Sequence, residues 1–124
     1  MRLVLYLHLL AATVWVGGLV VVAGLVPAVR RVTEDRSVLK AIARRFGVIS
    51  WTALGVLVAT GIIQILDRPL TGVLMVKIGL VLVSAMLAAW HTVAASEQSP
   101  ALRGAIQGAI LLLALVILAL ATYV

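Results

Sequence analysis

The chain contains no cysteine, and it has only four acidic residues among its 124. Without cysteine there are no disulfides, thiolate metal sites, c-type haem attachment or thiol redox chemistry. The sequence also lacks a glycine-rich phosphate loop, a nucleophile paired with a base, and paired carboxylates within an apolar run. No enzymatic chemistry is therefore indicated by motif, and whether the chain is an enzyme stays open.

Apolar residues dominate the chain, making up 65% of the sequence. A run of roughly 20 such residues predicts a helix that crosses a bilayer. Four runs have this length, at about 3–27, 47–66, 73–94 and 105–124. The first exceeds a signal-peptide core, so we expect a retained helix. Short connections between the runs predict an all-α, integral membrane, four-helix antiparallel bundle that forms one domain over 1–124.

The net charge of +6 is concentrated in a polar segment at 30–45, which holds six cations. We reject nucleic acid as a partner because these cations lie between two apolar runs, where they set topology and contact anionic lipid head groups. We expect Pro27 and the following arginines to end the first helix. Thr33 is the expected N-cap of a short interfacial helix that runs into the second span.

The distribution of cations predicts an orientation. The 30–45 segment and Arg103 lie on one side of the predicted bundle, whereas Arg2 and Arg68 flank the other. The positive-inside rule makes the first side cytoplasmic, so 30–45 is a basic cytoplasmic loop and both termini lie outside the cytoplasm.

Two ionisable residues, His8 and Lys77, fall inside predicted spans. Such groups are costly in a membrane and indicate a functional site by default. Both lie four or five residues into helices that start on the outer side, and Gln64 ends its helix at a similar depth. These three residues define the predicted outer site. The alternatives are that Lys77 extends its ammonium to the head groups and that His8 is an interfacial residue.

Three further polar or aromatic residues extend this prediction. Trp15 follows His8 by one heptad on the same face, which favours packing or a cofactor wall. His91 is a weaker candidate metal ligand, and its ordinary role would be at the interface. It lies about 20 Å deeper than Lys77, so it cannot share a metal with His8 within one protomer. Gln107 falls at its depth, and a second, inner polar site is predicted there.

Several of these residues belong to short motifs that occur in a familiar order. They are the segment Tyr6–Gly18 (YLHLLAATVWVGG), Arg45-Phe46, Thr60-Gly61 and the early third-helix Lys77. Together they resemble the membrane domain of the copper-resistance protein D (CopD) family. The resemblance implies copper or related metal handling at the bacterial inner membrane. Copper favours thiolate, thioether and imidazole ligands, so His8 and Lys77 would need further ligands from a partner subunit or a second protomer.

The same layout also resembles the HemJ-type protoporphyrinogen oxidases, in which a first-helix His and an early third-helix Lys are implicated in haem binding. This likeness implies haem b bound by His8 and Lys77, with Trp15 flanking the ring. The polar stretch that follows the first helix in that family is not reproduced, so oxidase activity is not expected. Three functions stay open: copper handling, b-type haem binding with a redox role, and an accessory subunit without a ligand. The expected partners are the lipid bilayer and a second copy or another membrane subunit.

Overall fold

The computed structural model describes residues 1–94 and 97–123. Within these ranges the protein consists of four α-helices and contains no β-strand. The helices are α1 (Arg2–Val32), α2 (Arg36–Leu66), α3 (Gly72–Ala94) and α4 (Pro100–Ala121). Each is long and apolar enough to cross a membrane. The predicted all-α class with four potential membrane spans is confirmed.

The helices form two compact units, Met1–Arg68 and Pro69–Val124. The first is a hairpin of α1 and α2, and the second is a hairpin of α3 and α4. The prediction of one domain over 1–124 stays a prediction.

The first helix continues through Pro27 and ends at Val32, so the prediction that Pro27 ends it was wrong. Proline costs a helix one hydrogen bond and crowds the preceding turn, but membrane helices tolerate it. The break falls instead at Thr33, whose backbone is extended at φ −150° and ψ 143°.

The N-cap of α2 is Asp35 rather than the predicted Thr33. The Asp35 carboxylate accepts the backbone N–H of Ser37 at 2.9 Å, which satisfies a donor that the first helical turn cannot. The Thr33 hydroxyl accepts the backbone N–H of Asp35 at 3.1 Å. The basic segment 30–45 is therefore helical except for the three residues 33–35, and α2 runs unbroken from it into the second span.

The α1–α2 hairpin buries one face of each helix. On α1 this face carries Ala11, Trp15 and Leu19, spaced one turn apart. At one point the helices approach closely, because a Cβ built on Gly18 would lie 3.3 Å from Cε2 of Phe46. Glycine at position 18 allows the phenyl ring to lie against the backbone of α1.

The α3–α4 hairpin packs in the same manner. Buried residues on α4 recur every four positions at Ile106, Ile110 and Ala114, and α3 buries Ser84 and Ala88. The fourth helix begins five residues earlier than its predicted span, at Pro100. Pro suits the first helical position, since its missing N–H would have no partner there.

Many large apolar side chains point outward in both hairpins. Leu3, Val93 and Leu112 are each more than half exposed. Extended apolar surface of this kind is costly in water but compatible with lipid, where the helices satisfy their own backbone hydrogen bonds. The exposed apolar surface supports association with a lipid bilayer.

Candidate functional site

The His8 imidazole is held by a hydrogen bond to the neighbouring helix. Its Nδ1 lies 2.8 Å from Oγ1 of Thr60 on α2. The Thr60 Oγ1 also lies 2.6 Å from the carbonyl oxygen of Val56, one turn earlier. A threonine hydroxyl has a single proton to donate, and the carbonyl can only accept. The hydroxyl therefore donates to Val56 and accepts from Nδ1–H of His8.

This direction of donation corresponds to the tautomer of the neutral ring that carries its proton on Nδ1. With the proton on Nδ1, the lone pair of His8 is on Nε2. Metal-ligating histidines commonly have this arrangement, in which one nitrogen donates to a protein oxygen and the other is a ligand. The Thr60 hydroxyl thus orients His8 in the manner required for ligation through Nε2.

Gly61 lies next to the His8 ring. A Cβ built at this position would lie 3.5 Å from Cε1 of His8, at ordinary contact distance, so the site has room for a small side chain there. The observed restraint on the imidazole is therefore the hydrogen bond to Thr60.

The motif segments within the first hairpin meet in pairs. His8 contacts Thr60-Gly61, and Gly18 lies against Phe46. Three segments take part, Tyr6–Gly18, Arg45-Phe46 and Thr60-Gly61, and the antiparallel course of α1 and α2 brings them together. The spacing of these motifs therefore has a simple structural explanation in this hairpin.

The predicted site residues Trp15 and Gln64 also belong to the first hairpin. Trp15 is 8% exposed and forms part of the buried face of α1. Its burial agrees with the packing interpretation, and the cofactor-wall interpretation stays a prediction. Gln64 follows Thr60 by one turn, and its Nε2 is buried without a hydrogen-bond partner among residues 1–94 and 97–123. Gln64 therefore offers an amide donor on the same face of α2 as Thr60.

Thr60 is the residue that sequence reasoning missed as part of the site. Its position one turn before Gln64 was a usable signal, because residues four apart share a helix face. A threonine on an apolar helix usually bonds to its own backbone, as Thr60 does with Val56. Only the partner helix reveals the second bond, to His8.

Lys77 lies on α3, in the second unit, and is half-buried. It shares a helix face with Ser84 and His91, each seven residues further on. Ser84 is 3% exposed and His91 is half-buried, so this face of α3 is largely covered. The prediction that Lys77 joins His8 in one site stays a prediction.

The available donors fit some metals better than others. Within the described part of the chain, no three His, Cys, Asp or Glu side chains come together to hold a metal ion. Met1, Met75 and Met86 are all exposed. A copper site of several soft ligands is thus not assembled by the described residues. A haem iron takes four ligands from the porphyrin and needs only axial ligands from the protein, a demand that His8 fits.

A second polar group lies in the α3–α4 hairpin. His91 and Arg103 are both half-buried, and they lie in the last turn of α3 and the first turn of α4. The predicted inner polar site of His91 and Gln107 stays a prediction. The role of His91 as a weaker metal ligand stays a prediction.

No protein-family model, curated protein or solved structure matches this chain. The likeness to the CopD and HemJ families therefore stays a resemblance of motifs.

Proposed function

We propose that the protein is a small CopD-like membrane protein of the bacterial inner membrane and that His8 ligates a haem b iron through Nε2. The observation that carries this proposal is the hydrogen bond from His8 Nδ1 to Thr60, whose own proton goes to Val56. The bond supports the proposal because a proton on Nδ1 would place the lone pair on Nε2, the nitrogen that would bind iron.

Haem is favoured over copper by the donor set. The described residues supply an oriented imidazole but no cluster of ligands around it. Haem iron needs one or two axial ligands, whereas copper would draw further soft ligands from a partner. Trp15 and Gln64, which belong to the same hairpin as His8, would help to hold the group, and Lys77 stays the predicted second ligand. When bound, haem would give the protein a one-electron redox centre.

The test is an absorption spectrum of the detergent-purified protein, expressed with ample haem and recorded oxidised and after dithionite reduction. We expect a Soret band and sharp reduced α and β bands, lost in His8→Ala and altered in Lys77→Ala. A colourless wild-type protein would overturn the haem proposal.

A matched pair of threonine substitutions tests the part played by the tautomer. Thr60→Val removes the acceptor for Nδ1–H, and we expect a haem spectrum of lower occupancy or altered band positions. Thr52→Val is the control, because Thr52 makes the same bond to its own helix, to Val48 at 2.7 Å, but is exposed. Equal spectra for the two variants would contradict the role given to Thr60.

Copper handling is the second candidate, and the contact between motif segments in the first hairpin favours it. His8 would then be one ligand of a site completed by a partner subunit or a second protomer. If the purified protein is colourless, metal analysis after copper loading would show copper bound to the wild type and less copper bound to His8→Ala. An accessory role without a ligand would instead leave function intact in His8→Ala and Lys77→Ala.

The proposed topology has both termini outside the cytoplasm and the 30–45 segment inside. It is supported by the excess of cations in that segment. Because the chain has no cysteine, single introduced thiols report topology directly. We expect a membrane-impermeant maleimide to label Arg2→Cys but not Lys40→Cys in intact cells, and the reverse pattern would invert the orientation.

A further inference from the structure

One end of the α3–α4 hairpin gathers three polar side chains with buried atoms. His91 lies in the last turn of α3, Gln98 in the connection, and Arg103 in the first turn of α4. We call these three residues the inner cluster. The hairpin brings them to one end, because α3 ends at Ala94, α4 begins at Pro100, and Gln98 lies in the connection between these helices.

Four atoms of the inner cluster are buried without a hydrogen-bond partner in the described part of the chain. They are Nδ1 of His91, Nε2 and Oε1 of Gln98, and Nε of Arg103. Gln98 is only 9% exposed although it lies in a connection. Buried polar groups are nearly always bonded, so a concentration of unbonded ones indicates a partner outside the described residues 1–94 and 97–123.

The chemistry of the inner cluster favours an anion. Arg103 supplies a positive charge and a planar fork of donors, the Gln98 amide supplies two donors, and imidazole can donate from Nδ1. The cluster lies at the start of α4, whose first turn adds a favourable field for negative charge. Ser99 is already engaged, because its hydroxyl accepts the N–H of Leu102 at 3.1 Å. Glu97, the acidic residue of the connection, is exposed.

The surroundings of the inner cluster are apolar. Trp90, Val93 and Leu102 are exposed large apolar residues within one turn of its members. Unbonded polar atoms beside exposed apolar side chains fit a ligand with a charged head group and an apolar tail.

We propose that the inner cluster binds a phosphate group, with Arg103 as the charge partner and Gln98 and His91 as hydrogen-bond donors. The phosphate group belongs to an anionic phospholipid or to a free phosphate ion, two sources that share this chemistry. The proposal is independent of haem, because none of the three residues belongs to the outer site.

The test is thermal unfolding of the full chain in detergent, with three probes added separately: phosphatidylglycerol, phosphatidylcholine and inorganic phosphate. We expect phosphatidylglycerol to raise Tm by about 5 °C at ten times its Kd, and phosphatidylcholine to raise it less. A comparable rise with inorganic phosphate alone would assign the site to the free ion. Arg103→Gln is expected to abolish the rise, whichever source applies.

Arg68→Gln is the matched control, because it removes one arginine beside a span end outside the inner cluster. We expect it to keep the full rise in Tm. An equal loss in both variants, or no loss in Arg103→Gln, would overturn the proposal. If Arg103→Gln does not fold, Gln98→Ala replaces it, and native mass spectrometry counts the phospholipid or phosphate retained by each variant. Equal retention by Gln98→Ala and wild type would also overturn it.

Discussion

The two hairpins treat their buried polar groups differently. In α1–α2, His8 and Thr60 bond to each other, and Ser50 donates to the carbonyl of Phe46 at 2.7 Å. In α3–α4, buried atoms of Ser84 and of the inner cluster have no hydrogen-bond partner among the described residues. Gln64 is the exception in the first hairpin. The difference teaches that the first hairpin satisfies most of its buried polar groups across the helix–helix contact, whereas the second leaves several without a partner among the described residues.

The largest expected effect separates the two histidines. His8→Ala should remove the haem absorbance completely, because the oriented ligand is lost, whereas His91→Ala should leave it unchanged. Haem content per protein, from the pyridine haemochrome assay, is the measurement. If His91→Ala also loses the haem, the distinction between the hairpins fails.

The next effect concerns the close approach within the first hairpin. Gly18→Leu would force its side chain into Phe46, and we expect a loss of about 1–3 kcal/mol in unfolding free energy. Gly17→Leu is the control, because a Cβ there meets no described atom within 4 Å. Denaturant unfolding in mixed micelles gives both values. Similar losses for the two variants would mean that the close approach of Gly18 to Phe46 does not limit the size of the side chain at position 18.

A pair of hydroxyl deletions compares the hairpins directly. Thr60→Val leaves Nδ1–H of His8 without its acceptor, and we expect it to cost about 1–3 kcal/mol. Ser84→Ala removes a buried hydroxyl that has no partner among the described residues, and we expect no loss or a gain of about 1 kcal/mol. The same unfolding experiment measures both. A large loss in Ser84→Ala would show that the second hairpin also uses its buried hydroxyl.

The smallest effect is a pH dependence at the start of α2. The hydrogen bonds from Ser37 hold the pKa of Asp35 below its ordinary value of 3.8. A lowered pKa in the folded state stabilises the cap above the unfolded pKa, and this stability is lost as pH falls through the folded value. NMR titration of the Asp35 carboxyl should give a midpoint below 3.8, and Asp35→Asn should remove this part of the pH dependence. A midpoint at or above 3.8 would contradict the capping role.

The sequence predicted the helices well because length and apolar content alone define a membrane span. It also singled out His8, since an imidazole in such a run is costly whatever surrounds it. It did not predict that α1 passes through Pro27, because the outcome depends on whether the surroundings tolerate a lost hydrogen bond. The capping residue was placed two positions early, since Thr33 and Asp35 are both common N-cap residues and only the chain geometry selects between them.

The candidate site was predicted less completely than the fold. The partnership of His8 with Thr60 joins residues that are 52 positions apart, and no local pattern encodes it. Gln98 was missed because a glutamine in a connection is ordinarily exposed, and its burial depends on how the hairpin closes.

The lengths of the helices also differ between the hairpins. Each helix of the first has 31 residues, about 46 Å, whereas α3 and α4 have 23 and 22 residues, about 34 Å. A hydrocarbon layer is about 30 Å thick, and a typical tilt shortens a helix's span of it only slightly. The first hairpin is therefore long enough to extend more than two helical turns past the hydrocarbon core. With the head groups included a bilayer is about 40–45 Å thick, so the extra turns would hold the cations of the basic segment 30–45 at the level of the lipid phosphates.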